Sequence, residues 1–186
     1  SDYGVEAHKY SFYPQNKHLN PFPTTADRMK LYEEKAVGVM MGAVRNCMSK
    51  RPEIAPEDFT HLITVSCTGM FAPGPDIQLV TQLGLKTSIK RTAINFMGCY
   101  AAIHALKMAD AICRSTNNAK VMIVCTELCT LHFQREATVD NIASSLLFGD
   151  GSAAVLVCSQ PTDHCLKLEN FYSEVLPAGR DDMSWQ

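Results

Sequence analysis

Two short and almost continuously apolar runs, at residues 61–67 and 120–126, constrain the fold of this chain more than any other feature. Continuous apolarity over so few residues is typical of parallel strands that are covered on both faces. A third strand is predicted at 90–96, and helices at 76–83 and 100–115 separate the three. This alternation predicts an α/β layered sheet with ligand chemistry at the carboxyl ends of its strands.

The flanking regions complete the predicted elements. Three prolines, Pro14, Pro21 and Pro23, prevent a long helix in residues 1–23, which are interpreted as an irregular covering segment. Thr24, followed three residues later by Asp27, predicts the start of a long helix at 27–50. Its apolar residues spread widely around the axis, so much of this helix is expected to be buried. A helix at 141–147 and strands at 152–159 and 166–175 follow, the last antiparallel to its neighbour.

Size and charge exclude several classes of function. The chain has 186 residues, of which 46% are hydrophobic, enough for one compact domain with a sizeable core. Its net charge of −2 gives no reason to expect nucleic acid or a membrane surface as a partner. The longest apolar run, 36–44, is too short to span a bilayer, and no secretory leader opens the chain. A cytoplasmic protein is therefore expected.

The eight cysteines contain no CxxC pair, and most lie inside apolar runs. This pattern favours reduced, buried thiols over disulfides, and it predicts no zinc or other metal site.

One cysteine has a different setting. Cys99 lies in a small-residue stretch between a predicted strand and a predicted helix. A helix N-terminus can favour the thiolate through its dipole and its unpaired N–H groups. Most free cysteines only fill space in a core. The position of Cys99 before a predicted helix is what marks it, among the eight, as a candidate nucleophile. Cys67 and Glu127 are also expected at the carboxyl ends of strands.

Five motifs in this order and at this spacing resemble the type III polyketide synthases of the chalcone synthase kind. They occupy residues 67–69, 73–76, 98–101, 120–127 and 147–155. Each motif alone is weak, but together they are specific. The resemblance implies a thiolase-like fold of five layers (αβαβα), which is incomplete in this chain. It divides the chain into the covering segment 1–23 and an N-terminal half-domain, 24–186, truncated at both ends.

The resemblance also implies an activity. Members of the family act as homodimeric acyltransferases that load a starter acyl group from coenzyme A onto a cysteine, which corresponds to Cys99. They extend it by decarboxylative Claisen condensation with malonyl-CoA, and coenzyme A thioesters are substrates, so no cofactor is expected. The catalytic His and Asn of the family come from the second half of the fold. The chain is therefore expected to need the remainder of the synthase fold as a partner and to be inactive alone.

Further positions carry over from the same resemblance. Phe148 corresponds to a gatekeeper phenylalanine between the coenzyme A tunnel and the cavity. Ala72 lies in a loop that reaches the partner's cavity, and a cis peptide is expected before Pro73. The remaining expected substrate-binding residues line the cavity: Cys67, Thr68, Glu127, Cys129 and His132. His132 stands where many relatives have a small hydroxyl, so it is expected to narrow or reshape the cavity.

Two alternatives stay open at this point. One is a condensing enzyme of the ketoacyl carrier-protein synthase III type, which shares the nucleophilic cysteine. The other is a noncatalytic dimerisation or binding module in which Cys99 is merely packed.

Overall fold

The computed structural model describes residues 13–14, 16, 18–161 and 165–179. These residues form one four-stranded sheet with helices on both faces. No helix in these ranges is long and apolar enough to cross a membrane. Most of the predicted covering segment, 1–23, lies outside the described residues.

The sheet brings three strand ends together. Its strands are β1 (His61–Ser66), β2 (Lys90–Asn95), β3 (Lys120–Leu128) and β4 (Asp150–Cys158), in the order β2-β1-β3-β4. Strands β2 and β3 both pair with β1 in parallel, as predicted, whereas β4 runs antiparallel to β3. The carboxyl ends of β1, β2 and β3 therefore meet the start of β4 at one end of the sheet.

Helices cover the sheet on both faces. Helices α1 (Thr25–Ser49) and α2 (Pro75–Leu83) pack on one face, in a core that includes Leu62 and Met122. Helix α3 (Ala101–Ser115) packs on the other face, through three small residues, against the alternate strand residues Ile63 and Val121. Because successive strand residues point to opposite faces, the continuous apolarity of β1 and β3 serves both cores. The described residues thus form three layers, α, β and α.

Helix α1 begins with the predicted cap. The Thr24 hydroxyl accepts a hydrogen bond from the Asp27 N–H at 3.2 Å, and the Asp27 carboxylate accepts one from the Thr24 N–H at 2.9 Å. This reciprocal pair satisfies N–H groups that the helix itself leaves unpaired. The expectation that much of α1 is buried is wrong, since its buried residues lie on one face and Val39 is 38% exposed.

Two further expectations need correction. Residues 166–175 form no strand, because they make no ladder with the sheet and their apolar side chains, such as Leu166 and Val175, are exposed. None of the eight cysteines forms a disulfide, and none is fully buried: six are half-buried, and Cys99 and Cys165 are exposed. Of the half-buried thiols, Cys47, Cys113 and Cys125 pack against the two cores without being enclosed by them.

The last helix and strand carry an uncovered apolar surface. Helix α4 (Val139–Leu147) has no buried residue, and Leu146 and Leu147 are 84% and 75% exposed. Val155, on β4, is 46% exposed. Large apolar side chains left exposed in this way are typical of a surface that another polypeptide segment covers.

Candidate active site

Cys99 lies in the tight connection between β2 and α3, two residues before the first residue of the helix, and its side chain is exposed. The connection needs two left-handed residues, Phe96 with φ 56° and Gly98 with φ 86°. At Gly98 a side chain would be strained in this region of φ, and its Cβ would lie 3.4 Å from the Tyr100 ring. The Gly98 carbonyl then accepts the Ala101 N–H at 3.0 Å and begins the first turn.

The same connection is tied to the end of β1. The Phe96 N–H donates to the Ser66 carbonyl at 3.2 Å, one step beyond the last paired residues of β1 and β2. The Gly98 N–H donates to the Cys67 sulfur at 3.2 Å. Cys67 therefore lies directly beside the backbone that leads into Cys99.

Glu127, near the end of β3, holds the loop that follows β1. Its two carboxylate oxygens lie 2.9 and 3.0 Å from the Cys67 N–H nitrogen, and one of them accepts the Thr68 hydroxyl at 2.7 Å. The Thr68 hydroxyl in turn accepts the Leu128 N–H at 2.8 Å. These charge-assisted bonds fix Cys67 and Thr68 between the ends of two strands.

The segment after β3 forms the next side of the site. Cys129–His132 is a 3-10 helix, and a His132 ring nitrogen, Nε2, lies 2.6 Å from the Thr68 carbonyl. Thr130 is held by Asp150 at the start of β4, through its N–H at 2.8 Å and its hydroxyl at 2.7 Å. The two loops at the ends of β1 and β3 are therefore joined to each other and to β4.

The thiols around Glu127 differ from Cys99 in burial. Burial raises the pKa of Cys125 to about 11, and the neighbouring Glu127 carboxylate adds to this shift. Burial also raises the pKa of Cys129, with Glu127, Asp150 and Cys99 contributing through their charges. Cys125 and Cys129, two residues before and after Glu127, are thus held as neutral thiols, whereas Cys99 is the exposed thiol at this end of the sheet.

The remaining predicted residues lie at the margin of this group. Phe148 directly follows α4 and is 41% exposed. It lies two residues before Asp150, which pairs with Leu128. Ala72 is in the exposed loop before α2, and the Ala72-Pro73 peptide is cis, as expected. The structure thus brings Cys67, Thr68, Glu127, Cys129 and His132 together beside Cys99, with Phe148 and Ala72 at the ends of adjacent loops.

Sequence reasoning missed two parts of the site. The sequence alone does not single out Asp150, although its carboxylate anchors Thr130. The bond between Cys67 and Gly98 joins residues 31 positions apart, and no local pattern indicates it. Of the histidines that the structure describes, His61 lies at the opposite end of β1, where burial lowers its pKa.

Residues 14–161 match the family model described as chalcone and stilbene synthases, N-terminal domain. The chain is 37% identical over 134 residues to an alpha-pyrone synthesis polyketide synthase-like protein of Mycobacterium tuberculosis, covering 72% of this chain and 34% of that protein. It is 32% identical over 143 residues to type III polyketide synthase C of Arabidopsis thaliana, covering 76% and 37%. The chain therefore spans about a third of the length of these relatives.

Solved structures give the same result for the fold. The 1,3,6,8-tetrahydroxynaphthalene synthase of Streptomyces coelicolor superposes with a TM-score of 0.73 at 29% identity, covering 86% of this chain and 45% of that one. Germicidin synthase of the same organism gives 0.79 at 24% identity, covering 85% and 41%, which concerns the fold alone. The α/β thiolase-like fold expected from the sequence is confirmed.

Proposed function

Because the chain belongs to the chalcone and stilbene synthase family, the type III polyketide synthases, we propose that it carries the acyl-accepting thiol of a condensing enzyme. In this proposal the Cys99 thiolate attacks the carbonyl of a starter acyl-CoA. The carbon–sulfur bond to coenzyme A breaks, and coenzyme A leaves as its thiolate, which takes a proton from water. The acyl group is then held on Cys99 as a thioester.

The extension step follows from this thioester. Malonyl-CoA loses carbon dioxide, and the resulting carbanion attacks the acyl carbonyl on Cys99. A carbon–carbon bond forms, the Cys99 thiolate is released, and the lengthened chain stays on coenzyme A. Each step balances without a redox or metal partner, and the proposal includes no cofactor besides the coenzyme A thioesters.

The observation that carries the proposal is the setting of Cys99. It is an exposed thiol in the turn before a helix, at the end of the sheet where three strands terminate. The neighbouring Cys125 and Cys129 are kept protonated by burial and by the Glu127 charge. This difference supports Cys99 as the thiol that reacts with a thioester.

We further propose that the base and the oxyanion donor come from residues outside these 186, as a His and an Asn. Among the described residues no histidine makes a hydrogen bond to Cys99: His61 lies at the far end of β1, the His132 ring is engaged with the Thr68 carbonyl, and the His104 ring packs against Tyr100 with centroids 5.3 Å apart. The uncovered apolar residues of α4 supply a surface for the rest of the synthase fold. The chain alone is therefore expected to turn over no substrate.

The substrate cavity is proposed to lie on the residues beside Cys99. Cys67, Thr68, Glu127, Cys129 and His132 form its wall, and Phe148 forms its gate. The position of the wall residues at the carboxyl ends of β1 and β3 supports this assignment.

A homodimer is proposed through the open side of β2. This strand ends the sheet, pairs only with β1 among the described strands, and is followed by Phe96 and Met97, which are 56% and 41% exposed. Ala72 then lies on the same side and reaches the partner's cavity. Light scattering on the purified protein tests the oligomeric state.

The proposed activity is tested in the protein that carries this chain, with hexanoyl-CoA as the probe starter. Products are followed by mass spectrometry with either malonyl-CoA or malonyl carrier protein as the extender. We expect elongation with malonyl-CoA only, its loss in Cys99→Ala, and its retention in Cys165→Ala, which removes the other exposed thiol. Use of malonyl carrier protein alone would indicate the synthase III type. Slow, uniform alkylation of all cysteines would indicate a noncatalytic module.

A further inference from the structure

Both polar backbone groups of Gly98, the residue before Cys99, contact the side chain of Cys67. The Gly98 N–H donates to Cys67 Sγ at 3.2 Å, and the same sulfur lies 3.7 Å from the Gly98 carbonyl oxygen, to which its S–H donates. Gly98 has a left-handed φ of 86°. In a loop that nothing holds, a glycine can adopt many other backbone conformations. The direction in which the chain enters Cys99 therefore depends on what holds Gly98.

Cys67 is itself held in place. Its N–H donates to both oxygens of the Glu127 carboxylate, at 2.9 and 3.0 Å. Thr68, the next residue, donates its hydroxyl to the same carboxylate and its carbonyl lies against His132. The thiol of Cys67 thus projects from a backbone that is clamped between the ends of β1 and β3.

We propose that Cys67 is a positioning residue for Cys99: its thiol holds the Gly98 peptide so that the Cys99 sulfur is presented at one fixed place. This inference rests on the proposed function of Cys99 and goes beyond the cavity-lining role expected of Cys67. Ordering the nucleophile before the substrate arrives lowers the cost of reaching the reactive geometry.

The proposal separates positioning from cavity lining. If the thiol holds Gly98, its removal releases the Gly98 N–H to solvent and slows the chemical step. If Cys67 only lined the cavity, its removal would change the half-saturating concentration of acyl-CoA and leave the Gly98 amide as it was. The two roles therefore predict different measurements on the same variant.

Three variants of the protein that carries this chain test the idea. Cys67→Ala removes both contacts, and Cys67→Ser keeps a donor and an acceptor at nearly the same place. Cys113→Ala is the matched control, because Cys113 is a half-buried thiol on α3 whose contact is with the Val157 carbonyl at 3.8 Å. For each, hydrogen exchange of the Gly98 amide and the single-turnover rate of Cys99 acylation by hexanoyl-CoA are measured.

In Cys67→Ala, Gly98 exchange is expected to rise, and the maximal acylation rate to fall, by about tenfold each, the size expected for one lost hydrogen bond. The half-saturating concentration should change by a smaller factor than the acylation rate, because Cys67 is only one of several residues of the cavity wall, and Cys67→Ser should recover most of the losses in exchange protection and rate. Unchanged Gly98 exchange in Cys67→Ala, or an equal effect in Cys113→Ala, would overturn the proposal.

The two proposals fail in different ways. If the parent protein takes no acyl group on Cys99, the proposed function fails, and the exchange of the Gly98 amide alone then decides whether Cys67 holds the turn. If the parent is acylated and Cys67→Ala behaves like it in both measurements, only the positioning role fails.

Discussion

Replacement of Glu127 is expected to loosen the whole end of the sheet. Its carboxylate accepts hydrogen bonds from the Cys67 N–H and the Thr68 hydroxyl, with distances of 2.7 to 3.0 Å. Glu127→Ala leaves both donors without this partner. Glu127→Gln keeps the size of the side chain but turns an amide N–H₂ toward one of the donors.

The magnitude follows from the number and type of these bonds. Hydrogen bonds to a charged group contribute roughly 1.5–3 kcal/mol each when they are shielded from water. Glu127 is half-buried, so in Glu127→Ala water can hydrogen-bond to the donors that the carboxylate leaves and reduces the loss of stability. We expect Glu127→Ala to lower the free energy of unfolding by about 3 kcal/mol in total, and Glu127→Gln by about half of that.

The assay is urea and thermal unfolding of the protein that carries this chain, with Glu34→Ala as the control. Glu34 is exposed on α1, and its replacement is expected to change stability by less than about 0.5 kcal/mol. A loss below about 0.5 kcal/mol in Glu127→Ala would refute the view that this carboxylate joins the ends of β1 and β3.

Three further predictions concern other features. Thr24→Ala should cost about 1 kcal/mol in urea unfolding, because it removes the capping box of α1, and a loss near zero would contradict that role. The raised pKa of Cys125 predicts stability that is full below about pH 9 and falls as pH rises toward about 11, since the unfolded thiol ionises first. Cys125→Ala should flatten this fall, which unfolding curves across that range will test. His132→Thr should change the chain length of the products, and an unchanged product spectrum would count against its role in the cavity.

The order of elements could be predicted from local patterns. The apolar runs at 61–67 and 120–126 gave two buried parallel strands, since only strands covered on both faces carry such continuous apolarity. The Thr24 and Asp27 pair predicted the capping box of α1, although the helix begins at Thr25, two residues before the predicted start. By contrast, the alternation in 166–175 suggested a strand that does not form, because pairing depends on a neighbouring edge that local sequence does not reveal.

The residues of the site could also be predicted from the sequence. Strand-end position and the family resemblance together selected Cys99, Cys67 and Glu127, and the structure brings these residues to one end of the sheet. Their connections were not predictable. The bonds from Glu127 to Cys67 and from Cys67 to Gly98 span 60 and 31 residues, and they arise from the register of the strands rather than from any motif.

The most direct test of the central claim is the mass of the peptide that contains Cys99 after incubation with hexanoyl-CoA and no extender. Trypsin releases residues 92–107, in which Cys99 is the only cysteine. The account predicts that this peptide gains one hexanoyl group, that hydroxylamine removes it, and that Cys99→Ala abolishes it. An acyl group found on the peptide containing Cys67 instead, or on no cysteine peptide, would contradict the assignment of Cys99 as the acyl acceptor.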